Sequence, residues 1–500
     1  MPDELIYSNF AYAIIASDWG WPTYQMYAQP PLFPYILAIT TFFFQGGLET
    51  FRLIPIFFGI LDVIAIYFLG KIIYSSRVGL LSALLLAFSS YHILYSRSVE
   101  IETMLIFFIL ASMYFFWRAY AENKLFYAAI AGIFIGLGNN TKYSEFLLYP
   151  ILIFYLLWIN RKGFLPGWKA LLEKKFVVII IISILVFTPV LITLYYYEVN
   201  PFYWQLFERY KTQFASYKSI SQFGFTELII RGYDNYVGML IDATTNLSKG
   251  LYIKSGSIAT MSLPQTWLLL LVISTYILLP ITILYYLYFS LKNEKRESFL
   301  LIAFLIFNVF VALFATRFQY YLLWNVPLFF IMLSNMICNF RDKVNLNISG
   351  LYDIKNISRI FFILLFGIFL LSYLYIGTLS PFVNESPKVG YEKNILKIKN
   401  NISPIDPIAT DAIDMTYYYF DKYDIKYVPL VQIYIIEKKL EKQYLKVNID
   451  LLNAISPKYI LVSIYSFSAY ATNYDRTYIK ERYNLISNEN DILLFERKSS

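Results

Sequence analysis

The sequence predicts a polytopic α-helical membrane protein carrying a small C-terminal α/β domain. Three observations predict it. Of 500 residues, 58% are hydrophobic and 15% charged, with a mean hydropathy of +0.52. A soluble chain of this size could not cover itself with so few charges. Apolar runs of about 20 residues, the length a helix needs to cross a bilayer, recur through the first 380 positions. Beyond residue 380 the chain turns polar and rich in Lys, Asn and Asp, with short strand-like runs.

The first element, 1–48, opens on Asp3 and Glu4, continues as an aromatic amphipathic stretch and reaches Pro30-Pro31. It reads as an outer loop with juxtamembrane helices. Residues 31–45 (PLFPYILAITTFFFQ) are apolar but too short to span, which predicts an interfacial or re-entrant helix. The second element, 49–380, holds ten predicted spans, near 51–72, 79–96, 103–120, 126–142, 146–160, 176–197, 267–290, 299–316, 319–339 and 359–378. A long outer loop, 198–265, interrupts them. The third element, 381–500, predicts strands at 407–410, 458–467 and 491–497 with helical segments between them.

Charge in the short loops sets the expected orientation. Lys71, Arg77, Arg118, Lys124, Arg161, Lys162, Lys169, Lys174, Lys175, Lys292, Lys295, Arg296, Arg341, Lys343, Lys355 and Arg359 fall on one side. The opposite short loops carry Arg52, Arg97, Lys142 and Arg317. The basic side is expected to be cytoplasmic, which puts residues 1–48, the 198–265 loop and the tail outside a multi-pass cell membrane. A chain that starts outside also leads us to expect a further helix upstream of Met1 that this sequence lacks. The net charge of +8 is thus a matter of topology and gives no reason to invoke nucleic acid. One cysteine and one histidine, His92, exclude a disulfide framework, a Cys-rich metal site and a His cluster.

Charges near membrane depth are costly and tend to serve a site. Asp3, Glu4, Asp18, Glu49, Glu100, Glu102 and Glu145 gather on the outer side, beside Arg52, Arg97, Lys142 and Arg317. Carboxylates can act as general bases, and Lys and Arg can hold a phosphate. Together they suit transfer of a group from a lipid-linked phosphate. Structural readings stand beside this one. Asp3 and Glu4, or Glu100 and Glu102, can cap helices. Arg97 and Arg317 can snorkel to the interface. Lys142 can answer a helix C-terminal dipole. His92 fits a packed interfacial histidine better than a metal ligand. Asp62, inside a predicted span, calls for a partner on another helix that the sequence does not name.

Taken in order, seven segments resemble the GT-C glycosyltransferases, most closely the protein O-mannosyltransferase and aminoarabinose-transferase family, glycosyltransferase family 39. DELIYSNFA resembles the D-E-x-x-Y-x-x-x-A motif of that family's first outer loop, SDWGWP its G-D-W, and YAQPPLFPYILA its P-P-L segment. LETFRLIPIFFGIL resembles the E-x-x-x-R-L-x-S helix entry. YSRSVEIETMLIFFILASMYFFWRAY resembles the S-R-x-x-x-x-D-x-x-L-x-F-F helix with its trailing R-A. GIFIGLGNNTKYSEFLLYP resembles G-L-x-x-x-T-K-[GY], and TRFQYYLLWNVPLFFI the late K-x-x-R-Y-L-x-P-x-x-P segment.

The resemblance implies a GT-C fold, a sugar donor on a polyprenyl or dolichyl monophosphate, and inverting transfer to a hydroxyl of a protein, lipid or glycan. Asp3 matches the catalytic carboxylate and Glu102 the second acidic position, where the family usually has Asp. Lys142 and Arg317, joined by Arg97, match the donor-phosphate positions. Glu4, Tyr7 and Arg52 match residues that support the loop. The resemblance implies no cofactor. The divalent metal of some members has little support here, because Ala28 and Gln29 stand where they carry His or an acidic residue. Tyr320 takes the place of the usual Arg, which shifts the phosphate contacts onto Arg317 and Lys142. A transporter or flippase of lipid-linked glycans is the alternative function, and a non-catalytic scaffold a third. The first predicts inverted repeats and broken helices in both halves, which are not evident. The second leaves the ordered motifs without a reason.

Overall fold

The computed structural model describes residues 7–8, 10–11, 14, 30–44, 48–161, 169–196, 263–292, 294–314, 323–342, 354–383, 394, 397, 408–410, 427–429, 431–435, 443–447, 456–463, 473–489 and 492–498. They form two compact units. The described residues of 19–36 and 52–383 make one, and those of 1–18, 37–51 and 384–500 the other.

The larger unit is a helix bundle. Its helices, with the two that run across the unit boundary, are α1 (Leu32–Thr40), α2 (Leu48–Ile73), α3 (Ser76–Ala87), α4 (Ser90–Ser96), α5 (Glu102–Ala121), α6 (Leu125–Thr141), α7 (Leu148–Ile159), α8 (Lys174–Tyr196), α9 (Leu263–Leu291), α10 (Lys295–Phe314), α11 (Val326–Arg341) and α12 (Ile354–Val383). The predicted spans lie on these helices, with two departures. The 79–96 run is broken between α3 and α4, where Ser89 Oγ accepts from the His92 N–H at 3.3 Å and caps α4. Of the 319–339 run, the described residues begin at Leu323, and the α-helix among them begins at Val326. Leu323 and Trp324 form a tight turn before it, and Pro327 occupies the first helical turn, where its missing N–H costs nothing. Segment 31–45 contains the short α1.

Among the described residues, five helices are long and apolar enough to cross a membrane: Thr50–Ile73, Glu102–Ala121, Lys174–Tyr195, Ile273–Leu291 and Asn356–Tyr375. α8 leaves Ile181, Leu185 and Ile192 exposed, and α12 does the same with Phe361 and Leu364. Continuous apolar surface of this kind suits lipid as the solvent.

The centre of the bundle is the α5–α6 hairpin. Its turn is Glu122–Asn123–Lys124, with Asn123 at φ 53°, a left-handed conformation that Asn tolerates better than most residues. Arg118 Nε donates to Glu122 Oε1 at 2.6 Å, and Lys124 Nζ to Oε2 at 3.1 Å. These two bonds hold the exposed Glu122 carboxyl below the usual carboxylate range. The Arg118 guanidinium also stacks on Tyr127, 4.0 Å from the ring centre. Lys175 Nζ donates to Asn123 Oδ1 at 2.9 Å, which brings the start of α8 to the same turn. α8 then runs alongside α6. Gly132 and Gly136, four residues apart on α6, form the seam: a Cβ on Gly136 would lie 2.5 Å from Val186 Cβ, and one on Gly132 2.7 Å from the Ile179 carbonyl oxygen. Small residues at this spacing let two helix backbones approach closely. On the other flank Phe299 of α10 meets Phe116 and Trp117 of α5 and Tyr155 of α7, with ring centres 4.9–5.6 Å apart.

The partner that Asp62 requires is His92. Nε2 lies 3.0 Å from Asp62 Oδ2, and both side chains are buried, on α2 and α4. Pairing the only histidine with the mid-helix carboxylate removes an isolated charge from the bundle interior.

The smaller unit contains a five-stranded sheet with strands β1 (Ile408–Thr410), β2 (Tyr427–Pro429), β5 (Tyr459–Ser463), β6 (Tyr483–Glu489) and β7 (Ile492–Arg497), in the order β2-β1-β5-β7-β6. β2, β1 and β5 are parallel, and β7 and β6 are antiparallel to their neighbours. Ile408, Ile460, Leu461 and Leu494 fill its core with Ile479 of α13 (Asn473–Arg482). A separate hairpin pairs β3 (Val431–Ile435) with β4 (Gln443–Val447). The three strands predicted from sequence are β1, β5 and β7.

The seam gives a test. Gly136→Leu should force α6 from α8 and lower the unfolding temperature in detergent, by the equivalent of about 1–3 kcal/mol for overpacking. Gly367→Leu, where an added Cβ meets nothing within 4 Å, should leave it unchanged.

Candidate active site

The hairpin delivers two charges to one place. Its helices are of similar length, so the residues at their far ends, Glu102 and Lys142, meet opposite the 122–124 turn. Each is suited to its helix end. Glu102 is the acidic residue of the first turn of α5, near the positive end of the dipole. Lys142 is the C-cap of α6, with extended backbone (φ −153°, ψ 136°), and its N–H closes the last turn on the Gly138 carbonyl at 2.8 Å. Lys142 Nζ donates to Glu102 Oε1 at 2.5 Å, and the two residues are 9% and 2% exposed. Such a short charge-assisted bond between buried groups is mutually obligatory, because either charge left alone in this setting is strongly disfavoured.

The residues before Lys142 lock it in place. Asn140 Nδ2 donates to the carbonyls of Gly136 and Val186, both at 2.9 Å, tying the end of α6 to α8. Asn139 Nδ2 donates to Tyr149 OH, and that hydroxyl to Ser183 Oγ, each at 2.9 Å, so α6, α7 and α8 share one polar chain. Thr141 Oγ1 donates back to the Leu137 carbonyl. After Lys142 the chain makes a tight 3₁₀ turn, Tyr143–Leu147, which folds Glu145 back against α6. A Cβ on Gly138 would lie 2.5 Å from the Glu145 carboxyl carbon, so only glycine fits there. Both Glu145 oxygens are buried without a hydrogen-bond partner among the described residues. Across the bundle, Trp324 presents its ring to Lys142, with Nζ 5.4 Å from the ring centre.

Residues 28–193, which include Glu102 and Lys142, match the family model for dolichyl-phosphate-mannose-protein mannosyltransferase. The described fold is similar to three solved structures. The apo oligosaccharyltransferase of Archaeoglobus fulgidus is 15% identical with TM-score 0.53, over 87% of this chain and 62% of that one. The oligosaccharyltransferase AglB of the same organism, in complex with an inhibitory peptide and a dolichol-phosphate, is 14% identical with TM-score 0.52, over 94% and 66%. ArnT from Cupriavidus metallidurans, bound to undecaprenyl phosphate, is 10% identical with TM-score 0.50, over 95% and 88%.

The chain has the GT-C glycosyltransferase fold. It spans about two thirds of the oligosaccharyltransferase chains and most of ArnT. A search of curated proteins returns no match. The motif resemblance to the mannosyltransferase and ArnT group agrees with the family model over 28–193. By fold, this GT-C chain is as similar to the oligosaccharyltransferase as to ArnT.

Of the other expected site residues, Tyr7, Arg52 and Arg97 are described. Asp3, Glu4 and Arg317 lie outside the described residues, as do Ala28, Gln29 and Tyr320. Tyr7 is buried in a short helical stretch of the smaller unit. Arg52 is half-buried near the start of α2, and Arg97 is exposed at the end of α4, five residues before Glu102. Among the described residues no three His, Cys, Asp or Glu side chains gather as a metal site would need. Sequence reasoning nominated Glu102 and Lys142 separately and missed that they pair. The signal was present, since they stand nearly equidistant from the turn at 122–124. Nothing in the sequence pointed to Trp324.

Removing one member of the pair tests its tightness. Lys142→Met leaves the Glu102 carboxylate buried alone and should cost about 3–5 kcal/mol. Adding Glu102→Gln should recover most of the loss. A double-mutant cycle of unfolding temperatures measures both, and simple additivity of the two losses would contradict the pairing.

Proposed function

We propose that the chain is an integral membrane glycosyltransferase. It moves a sugar from a polyprenyl- or dolichyl-phosphate donor to a hydroxyl acceptor on a protein, lipid or glycan, with inversion, at the extracytoplasmic face. One observation carries this reading: a buried, anchored lysine–carboxylate pair stands in the segment that matches the mannosyltransferase family model. Two supports stand beside it. Proteins of the same fold are known bound to dolichol-phosphate and to undecaprenyl phosphate. The basic loops argue for the side.

The chemistry is one in-line displacement. Asp3 takes the proton of the acceptor hydroxyl while that oxygen attacks the anomeric carbon. The bond from that carbon to the phosphate oxygen breaks, and the electron pair leaves with the lipid phosphate. A phosphate is a good leaving group, so no general acid is needed. Lys142 and Arg317, with Arg97, stabilise the charge that develops on it. Glu102 already shares its charge with Lys142, so its work is to orient the lysine and the acceptor. Glu4, Tyr7 and Arg52 support the first loop. The lipid chain lies between helices.

Asp3→Asn should abolish transfer from a lipid-phosphate sugar while leaving donor binding intact, as a product assay with radiolabelled sugar would show. Full turnover by this variant rules out the base role. Mass spectrometry of lipid-linked sugars and glycoconjugates in a deletion strain should show the donor accumulating and one glycosylated product missing.

A further inference from the structure

We infer that Arg161 and Lys292 bind the phosphate of an anionic membrane phospholipid, at the end of the bundle away from Glu102 and Lys142. The site stands apart from the proposed transferase chemistry.

Two helices stop together to build it. α7 leaves the Lys142 end through the 143–147 turn and runs to Ile159, with Tyr155 packed on Phe116 of α5. α9 stops at Leu291. Trp158 Nε1 donates to the Ser290 carbonyl at 3.4 Å, and Arg161 Nη2 to the Leu291 carbonyl at 2.9 Å. These bonds bring the backbone of Arg161 and Lys292, one residue past Leu291, to the same spot. Both side chains are exposed.

Charge balance sets these two cations apart. Elsewhere at this end, Arg118 and Lys124 share Glu122, and Lys175 Nζ lies 3.5 Å from Glu173. Among the described residues, no carboxylate pairs with Arg161 or Lys292. Glu294 and Glu297 nearby are formally offset by Lys295 and Arg296. The C-termini of α7 and α9 supply about half a negative charge each, so roughly one positive charge is left over. A phosphodiester, which carries a single negative charge, neutralises it.

The surroundings suit a lipid. The Arg161 guanidinium lies 4.1 Å from the centre of the Trp158 ring, and Lys292 Nζ lies 4.2 Å from that of Tyr288. Tryptophan and tyrosine favour the headgroup level of a bilayer. Arg161 gives two of its five N–H groups to the carbonyls of Trp158 and Leu291, and Lys292 keeps its three, so donors remain for phosphate oxygens. Leu284, Leu287 and Leu291 recur at helical spacing on α9 and are exposed, as is Phe154 on α7. Acyl chains can follow that apolar stripe while the phosphate rests on the two cations. A soluble phosphate would make no use of the stripe, which is why the occupant is a lipid. Arg161 follows α7 and Lys292 joins α9 to α10, so one lipid phosphate bridges the helices on either side of residues 197–262.

The full chain in detergent, titrated with phosphatidylglycerol or with phosphatidylcholine of the same acyl chains, tests the site. Native mass spectrometry should show one phosphatidylglycerol retained under conditions that strip phosphatidylcholine. The unfolding temperature should rise with the first lipid and not with the second. Lys292→Gln removes charge from a side chain with no hydrogen bond to lose. It should weaken phosphatidylglycerol binding about fivefold to tenfold and remove most of the lipid-dependent rise, while Lys292→Arg keeps both. Arg161→Gln also breaks the bond to Leu291, so its readout is the rise produced by lipid and not the unfolding temperature itself. Lys124→Gln, at the same end but paired with Glu122, should bind lipid as wild type does. Equal retention of the two lipids overturns the inference, as does undiminished phosphatidylglycerol binding by Lys292→Gln. Stabilisation by inorganic phosphate equal to that by phosphatidylglycerol would assign the cations to a soluble anion and overturn the lipid.

Discussion

A lysine and a glutamate buried together at the end of a helical hairpin set the terms for the bundle around them. Where lipid is the outer solvent, neither Glu102 nor Lys142 can be satisfied by turning outward, and neither is tolerable alone. Their 2.5 Å contact therefore fixes the register of α5 against α6. It demands that both helices end at the same level, and the dipoles of those ends favour the charges they carry. The polar chain through Asn139, Tyr149 and Ser183, and the two bonds of Asn140, extend that register to α7 and α8. The glycine seam is the price of admission for α8, which could not lie so near with any larger residue at Gly132 or Gly136.

The two ends of the same hairpin show how environment decides what an ion pair does. At the turn, Arg118, Glu122 and Lys124 form a bonded cluster that is partly or largely exposed. Water and salt screen such contacts, and each is worth little. At the other end the Glu102–Lys142 pair, nearly sealed from solvent, carries far more consequence because water screens it little. The first arrangement punctuates a turn. The second holds a cation and an anion side by side inside the bundle.

The GT-C likeness survives at 10–15% identity, so what is shared is architecture. A bundle that grips its pair through helix ends, a small-residue seam and a few amide side chains leaves most lipid-facing positions free to drift among apolar residues. The same freedom explains why fold cannot name the acceptor.

What could be read from the sequence was what depends on near neighbours. Apolar length marks a span, Lys and Arg mark its flanks, and a polar tail with β-branched runs marks a separate sheet. The spans and the strands β1, β5 and β7 accordingly lay in plain view. So did the types of residue a phosphate-transfer site needs, which is why Glu102 and Lys142 stood out singly. The structure decided what depends on distance in space. It joined Asp62 to His92 across 30 positions, closed Glu102 on Lys142 across 40, and brought Trp324 over that lysine from the far end of the bundle. It also broke one span at Ser89, because a serine cap outweighed the apolar pattern around it. Hydropathy and spacing report how each segment meets its solvent. Which charges meet each other depends on how whole helices pack.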